Sequence, residues 1–377
     1  MNRPDSLLVS LLVATALAMS GRGETRATEK DRIAPLPATE ASTISATSNM
    51  TASRSGHTAT RLANGQVLIA GGMERNGVFF NSAELYDPAS GRFTPTGRAM
   101  NTPRVGHTAT LLPDGQVLIA GGWSSAGVQA SAELYDPSTG SFAPTGSMAT
   151  PRGDFTATLL PNGKVLVAGG ENEGALAGAE LYDPANGRFT PTGGMHARRT
   201  MHAAALLPNG QVLVTGGGEY QHPLATAELY DPTNGTFATS GRMTVPRYKH
   251  AALLLADGMV FVVGGSDGRD WQGRYANTEI YNPGTGTFST SGNMNAARFK
   301  LPEAVAVMKN GRVLVAGGGE QVEVYNPASR TFSTATGRMG TARFYSTATL
   351  LADGRVLVAG GYDSQGAASA TAWIYKS

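Results

Sequence analysis

Short apolar and β-branched segments alternate with glycine-containing turns from Met50 to the end of the chain. One unit shows the order, with segments at Thr108–Leu112, Val117–Ala120, Ala132–Asp136 and Phe142–Thr145. Asp-Gly, Asn-Gly and Asp-Pro pairs mark the turns between such segments, and no segment has helical periodicity. Four short strands joined by turns of this kind predict a small antiparallel sheet.

The unit recurs along the chain, and a pair of glycines marks its second strand each time. The seven pairs begin at Gly71, Gly121, Gly169, Gly216, Gly264, Gly317 and Gly360, a spacing of 43 to 53 residues. A four-stranded sheet cannot bury both of its faces alone, so successive units must stack on one another. The sequence therefore predicts an all-β fold, a seven-bladed β-propeller of four-stranded antiparallel blades.

The two ends of the repeat region predict how the ring closes. The seventh unit stops after its third segment, Ala372–Tyr375, and has no fourth. Residues 44–48, just before the first unit, align with the fourth segment of the other units. We predict that this N-terminal strand completes the last blade and covers an edge that would otherwise invite aggregation.

The first residues have the features of an export signal. Arg3 precedes an apolar run, Leu7–Met19, which is short for a membrane span. We expect a signal peptide at 1–20, a flexible lead-in at 21–42 and the propeller at 43–377, with a secreted or periplasmic location and no membrane span. The alternative is an apolar tail on a cytoplasmic protein.

Composition excludes several classes of function. Only 15% of residues are charged and the formal net charge is +2, which argues against a nucleic-acid partner. The chain contains 0 cysteines, so disulfides and thiolate metal ligands are excluded. We expect a monomer without a cofactor.

The repeat resembles the kelch motif. Its shared features are the double glycine, then Glu-Leu-Tyr-Asp-Pro as in Glu133–Pro137, then an aromatic residue such as Phe142. The resemblance extends over nearly the whole chain after Met50. It is strongest to the central propeller of galactose oxidase and its bacterial relatives, where segments such as Ala352–Val356 also precede a double glycine.

Arginine and glutamate recur at fixed positions in the units. The arginines, just before the first strand, are Arg54, Arg104, Arg152, Arg199, Arg247, Arg298 and Arg343. Six units carry a glutamate in the third strand, and the seventh carries Trp373 there. Residues present in every blade serve the blade itself, so we favour structural ion pairs. An anion-binding role for a subset is the alternative.

The segment after each arginine and the loop after each double glycine vary between units, and both lie on one face of the predicted propeller. Such variation in a uniform repeat marks a binding face. In the sixth unit two extra residues near Leu301–Glu303 should bulge the start of the first strand. The candidate binding residues are Asp154, Arg247, Tyr248, Lys249, Asp270, Trp271, Arg298, Lys300, Glu303, Arg343 and Tyr345. We expect a glycan, a cell-wall component or a protein as the ligand on this variable loop face.

Two enzymatic functions are alternatives. The resemblance to galactose oxidase implies copper held by two tyrosines and two histidines, with a cysteine linked to one tyrosine. Tyr345 matches the cross-linked tyrosine. The residues at the histidine position are His57, His107, His202 and His250. The adjacent tyrosine and the cysteine are missing, so we expect no metal. A sugar mutarotase or epimerase would need only an acid–base pair, which Asp154, Lys300 or Glu303 could supply.

Overall fold

The computed structural model describes residues 42–75, 77–219 and 222–377, and within them the fold is all-β and without helices. Seven four-stranded antiparallel sheets are present. Their innermost strands contact one another in succession, and the seventh contacts the first, so the ring is closed. The predicted seven-bladed propeller is confirmed. The expected signal peptide and all but the last residue of the lead-in lie outside the described residues.

In blades one to six, the first strand in the chain is the innermost and the fourth is the outermost. In blades one to three the strands are Thr58–Arg61, Val67–Ala70, Ala83–Asp87 and Arg92–Pro95; Thr108–Leu111, Val117–Ala120, Ala132–Asp136 and Ser141–Pro144; and Thr156–Leu159, Val165–Ala168, Ala179–Asp183 and Arg188–Thr192. In blades four and five they are Ala203–Leu206, Val212–Thr215, Thr226–Asp231 and Thr236–Arg242; and Ala251–Leu254, Val260–Val263, Thr278–Asn282 and Thr287–Thr290.

In blade six the strands are Val305–Val307, Val313–Val315, Glu323–Asn326 and Thr331–Thr334. Blade seven consists of Thr347–Leu350, Val356–Ala359, Ala372–Lys376 and, as its outermost strand, Thr43–Ala46. Two short hairpins, Trp123–Ser124 with Gly127–Val128 and Gly218–Glu219 with His222–Pro223, follow double glycines on the variable face. In the part of the chain that is described, no helix is long and apolar enough to cross a membrane.

The N-terminal strand closes the ring as the sequence predicts. Thr43–Ala46 pairs antiparallel with Ala372–Lys376 in the last blade, and Ile44 is buried there. The strand was expected at 44–48 but ends at Ala46. Beyond Ala46 the Thr47 N–H still donates to the Ala372 carbonyl at 2.9 Å, while the hydroxyls of Thr47 and Ser48 donate to the Gly91 carbonyl of the first blade.

A buried arginine–glutamate pair is present in six blades. The pairs are Arg54–Glu84, Arg104–Glu133, Arg152–Glu180, Arg199–Glu228, Arg247–Glu279 and Arg298–Glu323. In the second blade the Arg104 guanidinium also donates to the Gly121 carbonyl at 2.8 Å, and the Glu133 carboxylate accepts the Asn101 backbone N–H at 2.7 Å. The structural interpretation of these arginines and glutamates is confirmed. In the seventh blade the Arg343 guanidinium lies over the Trp373 ring, 5.6 Å from its centroid.

In every blade but the sixth, the first glycine of the pair makes room for the next blade. A Cβ on Gly121 would lie 2.5 Å from the Arg152 carbonyl oxygen and 2.7 Å from the Phe155 ring, both in the third blade. Its φ of +63° also disfavours a side chain. The absence of a side chain therefore lets adjacent blades approach, as expected.

Histidine takes the place of Phe155 in four blades, at positions 57, 107, 202 and 250. Each of these rings is buried, and burial lowers the pKa of each imidazole to about 3, with the neighbouring arginines adding to the effect. Each Nε2 pairs with a threonine hydroxyl, as His57 does with Thr347 of the seventh blade at 3.3 Å. These histidines are neutral packing residues at and near the junctions between blades.

Deleting residues 43–49 should lower the free energy of unfolding by several kcal/mol, because the deletion unpairs a whole strand and uncouples the chain ends. Thermal unfolding followed by circular dichroism measures the effect. A protein without residues 21–41 is the matched control and should melt as the parent does. An unchanged melting temperature without residues 43–49 would refute closure by this strand.

The four buried histidines should make stability fall as the pH drops. Each stays neutral in the folded protein down to a pKa of about 3, whereas the unfolded chain binds a proton near 6.5. As the pH falls from 5.5 to 4, each histidine therefore lowers the free energy of unfolding by about 1.4 kcal/mol per pH unit. Replacing His57 with Phe, the residue at position 155, should reduce the slope by that amount in urea titrations.

Thr347→Val is the control, because it removes the hydrogen bond to His57 but keeps the titrating ring. Its slope should equal that of the parent. Equal slopes for His57→Phe and the parent would show that this ring is charged in the folded state.

Candidate functional site

The residue two positions after each repeated arginine has a left-handed backbone in all seven blades. We call these residues the mouth ring; they are Gly56, Gly106, Asp154, Met201, Lys249, Lys300 and Tyr345, with φ between +51° and +61°. Five of them are not glycine, although this conformation is costly for other residues. Strained backbone concentrates at functional sites, so the mouth ring is the first candidate.

Backbone hydrogen bonds join the blades at the mouth ring. Six junctions carry one, from the N–H of Asp154, Met201, Lys249, Leu301, Tyr345 or Gly56 to the mouth-ring carbonyl of the preceding blade, at 2.9 to 3.4 Å. Between Gly56 and Gly106, both of which are described, no such bond forms. The ring is therefore rigidly held except between the first and second blades.

A second circle of residues surrounds the mouth ring. We call it the outer ring; it consists of the residue after each double glycine, namely Met73, Trp123, Glu171, Gly218, Ser266, Gly319 and Tyr362. In six blades this residue forms a β-bridge to the residue that precedes the mouth-ring residue of the same blade. Trp123, for example, bridges to Val105. Side chains of the two rings are thereby brought together on one face.

The mouth ring leads into a cavity of about 250 Å³ on the propeller axis. Its charged and phenolic lining residues are Asp154, Lys249, Glu303 and Tyr345. Glu303 reaches the cavity through the two-residue insertion of the sixth blade, whose innermost strand begins only at Val305. The predicted bulge is present. Enclosure by the surrounding chain raises the pKa of the Glu303 carboxyl.

Asp154 lies where the second and third blades meet. Burial, and then the nearby Glu171 carboxylate, raise the pKa of its carboxyl to about 6. The Trp123 indole and the Lys249 ammonium both favour the ionised carboxylate, which limits the rise in its pKa. Asp154 is therefore a group that gains or loses its proton near neutral pH.

Asp270 joins two lysines on the other side of the mouth. Its carboxylate lies 2.7 Å from the Lys249 ammonium and 3.7 Å from that of Lys300. Aromatic rings surround Lys300, whose nitrogen is 4.7 Å from the Phe299 centroid and 5.3 Å from that of Trp271. Burial, and then repulsion by Lys249, lower the pKa of the Lys300 ammonium to about 8.

Two tyrosines of the seventh blade stand beside this lysine. The Lys300 ammonium donates to the Tyr362 hydroxyl at 2.6 Å, and the rings of Tyr345 and Tyr362 are 6.1 Å apart. Burial raises the pKa of Tyr345 well above its usual value and that of Tyr362 to about 12, so both phenols keep their protons at neutral pH. Lys300 thus holds the aromatic wall in place.

Trp271 forms the outer lip of this wall. It is 42% exposed, and its ring meets those of Phe299 and Phe344 edge-on at 5.2 and 4.6 Å. Trp271 and Lys300 lie on the same face, as the variable-face hypothesis requires.

A second space adjoins the axial cavity over blades one, two and seven. We call it the slot. It measures about 400 Å³, and Met73, Val105, Trp123 and Tyr362 form most of its walls. The slot adjoins the axial cavity, since Gly56, Gly106, Asp154 and Tyr345 line both.

The candidate residues separate into two groups. Asp154, Lys249, Asp270, Trp271, Lys300, Glu303 and Tyr345 gather at the mouth. Arg247 and Arg298 instead lie in the blade interior, paired with glutamates and fully buried, and Tyr248 is buried beneath the mouth. These three are unavailable to a ligand there. Arg343 is half-buried over Trp373, away from the cavity lining.

Sequence reasoning missed Trp123, Glu171, Met201 and Tyr362. The available signal was alignment: each occupies a repeat position, after the double glycine or two residues after the arginine, where other blades carry different residues. The candidates near the insertion and in the long loop were selected because charged and aromatic side chains occur together there.

The residues do not fit the copper site that the resemblance to galactose oxidase implies. The four histidines belong to separate blades, and a threonine hydroxyl occupies one nitrogen of each. Across 42–75, 77–219 and 222–377, no three His, Asp or Glu side chains are grouped closely enough to hold a metal ion.

Comparison with known proteins agrees with the geometry. The sequence profile of the kelch motif matches residues 247–295, which include most of the fifth blade. No curated protein matches the chain. A solved fungal alcohol oxidase of the AA5 family, in complex with copper, is 20% identical, with a TM-score of 0.75 over 89% of this chain and 76% of that one. This likeness concerns the fold: the chain is a seven-bladed β-propeller, and residues 247–295 carry a kelch motif.

Proposed function

We propose that the chain is a binding module that holds the end of a glycan at the mouth of its propeller. A kelch propeller is suited to binding and interaction. The observation that carries the proposal is the mouth ring, where Asp154, Lys249 and Tyr345 occupy strained backbone positions and line one cavity. All seven blades share the conformation, so it belongs to the repeat. Support for a ligand comes from the polar side chains at these positions, where glycine would carry less strain.

The chemistry of the mouth suits a sugar. Hydroxyl groups need both donors and acceptors at fixed positions, and the Lys249 ammonium and the carboxyls of Asp154 and Glu303 supply them. Aromatic rings such as Trp271 offer apolar surface to the C–H face of a sugar ring. The lysine–aspartate contacts hold these groups before the ligand arrives, which reduces the entropic cost of binding.

Affinity for the sugar should rise as the pH rises through about 6, because the Asp154 carboxyl ionises there and a charged acceptor forms stronger hydrogen bonds. Asp154→Asn should abolish this pH dependence and weaken binding at pH 7 roughly tenfold to a hundredfold. A panel of mono- and disaccharides screened by thermal shift, followed by calorimetric titration at pH 5 and 7, measures both effects.

Lys249→Gln should weaken binding to a similar degree. Lys164→Gln is the matched control, because Lys164 is an exposed lysine in the turn between the first and second strands of blade three, at the end away from the mouth. Sugar binding that is independent of pH and survives both mouth substitutions would refute this site.

A sugar mutarotase is the second candidate function. It is favoured by the carboxyls of Asp154 and Glu303, which line the same cavity and both have raised pKa values. Proton exchange between such groups and a ring-opening sugar is general acid–base catalysis. Exchange spectroscopy on a bound reducing sugar distinguishes the functions. Anomers that interconvert at their spontaneous rate support a binding module, whereas faster exchange that Asp154→Asn abolishes supports a mutarotase.

We also propose that the protein is exported to the periplasm or beyond, and that it acts as a monomer on a glycan, a cell-wall component or a protein. Arg3 and the apolar run Leu7–Met19 support export. Cell fractionation and N-terminal sequencing test it: a mature protein that begins after about residue 20 supports export, and a full-length cytoplasmic protein contradicts it.

A further inference from the structure

The slot has a different chemistry from the axial cavity. Its walls are Met73, Val105 and the rings of Trp123 and Tyr362, while Glu74 and Arg75 stand at its rim. The axial cavity, in contrast, carries carboxyl and ammonium groups. The two adjoining spaces therefore form a polar half and an apolar half, and each half would receive a different part of one ligand.

Two glycines lie at the boundary between the halves. A Cβ on Gly56 would lie 2.7 Å from the Val105 side chain, and one on Gly106 would lie 2.8 Å from the Asp154 carboxylate. The five other blades place side chains at this position. The junction between these two glycines is also the one without a mouth-ring hydrogen bond among the described residues. The absence of side chains lets Val105 and Asp154 lie close to the backbone here, and a side chain at Gly56 would displace Val105, which is a wall of the slot.

The apolar walls are held in place before any ligand binds. Trp123 reaches over Gly153 of the next blade, where a Cβ would lie 2.1 Å from the indole nitrogen, and packs close to the Gly106 backbone. On the opposite side the Lys300 ammonium holds the Tyr362 hydroxyl. Fixed flat walls favour a flat occupant, because neither the protein nor the ligand loses further freedom on binding.

We propose that the slot is a subsite for the flat apolar aglycone of a glycoside whose sugar occupies the axial cavity. This inference rests on the proposed glycan-binding function. The ligand class is an aryl glycoside, with the glycosidic oxygen passing between Gly56 and Gly106 and the aryl group lying between Trp123 and Tyr362. Burial of an aromatic ring in such a slot strengthens binding roughly tenfold to a hundredfold.

Calorimetric titration of three probes tests the inference: the 4-nitrophenyl glycoside of a sugar that binds, the methyl glycoside of the same sugar, and 4-nitrophenol alone. The aryl glycoside should bind roughly tenfold to a hundredfold more tightly than the methyl glycoside. Gly56→Ala displaces the Val105 wall and should reduce this ratio to below about threefold.

Gly115→Ala is the matched control. Gly115 has a φ of +88° in a turn at the other end of the second blade, and nothing lies within 4 Å of the added Cβ. An alanine at this position therefore introduces backbone strain without touching the slot. Val105→Trp fills the slot from its side wall without that strain and should give the same loss of the ratio. Val105 lines the slot and not the axial cavity, so this variant should change the affinity for the methyl glycoside by less than about twofold.

The outcomes distinguish a failure of the aglycone subsite from a failure of the proposed glycan-binding function. Equal affinity for both glycosides in the parent protein overturns the aglycone subsite and leaves the glycan site standing. Binding of 4-nitrophenol alone as tightly as the aryl glycoside also overturns it, because the slot would then act without the sugar. A failure of every glycoside to bind overturns the glycan function and this inference with it.

Discussion

The buried ion pair between arginine and glutamate is the interaction on which six of the seven blades depend. The guanidinium binds the first carbonyl of the glycine pair, and the carboxylate binds a backbone N–H ahead of the first strand. One pair thus fixes the start of the first strand, the end of the second and the third strand together. Removing one partner of a fully buried pair typically costs about 3–5 kcal/mol, so the network tolerates little change.

This network also explains where the variable residues lie. The mouth ring begins two residues after the arginine, and the outer ring one residue after the glycine pair. Both rings are therefore attached directly to the most rigid part of each blade. The scaffold can hold Asp154 or Tyr345 in a strained conformation because the neighbouring backbone bonds leave no relaxed alternative. Differences in side chains alone then turn seven similar blades into one asymmetric mouth.

Repetition made the fold predictable. The spacing of the glycine pairs, the Asn-Gly and Asp-Gly turns and the missing fourth strand each had one consistent interpretation, and the blade count and the closure are confirmed. The site was less predictable. Lys300 and Trp271 were chosen because they are charged or aromatic in irregular segments, and they do meet. Trp123 was overlooked because its partner Asp154 belongs to the next blade, and no local pattern links the two.

The sequence by itself determined the architecture, because strand periodicity, turn residues and the steric need for glycine act over a few neighbouring residues and repeat seven times. Only the tertiary structure decided which side chains share a cavity. Closing the ring brings residues as distant as Gly56 and Tyr345 to one opening. Folding of each blade pairs Arg247 with Glu279 and Arg298 with Glu323 and leaves Lys249 at the mouth. These contacts join residues that are far apart in the chain.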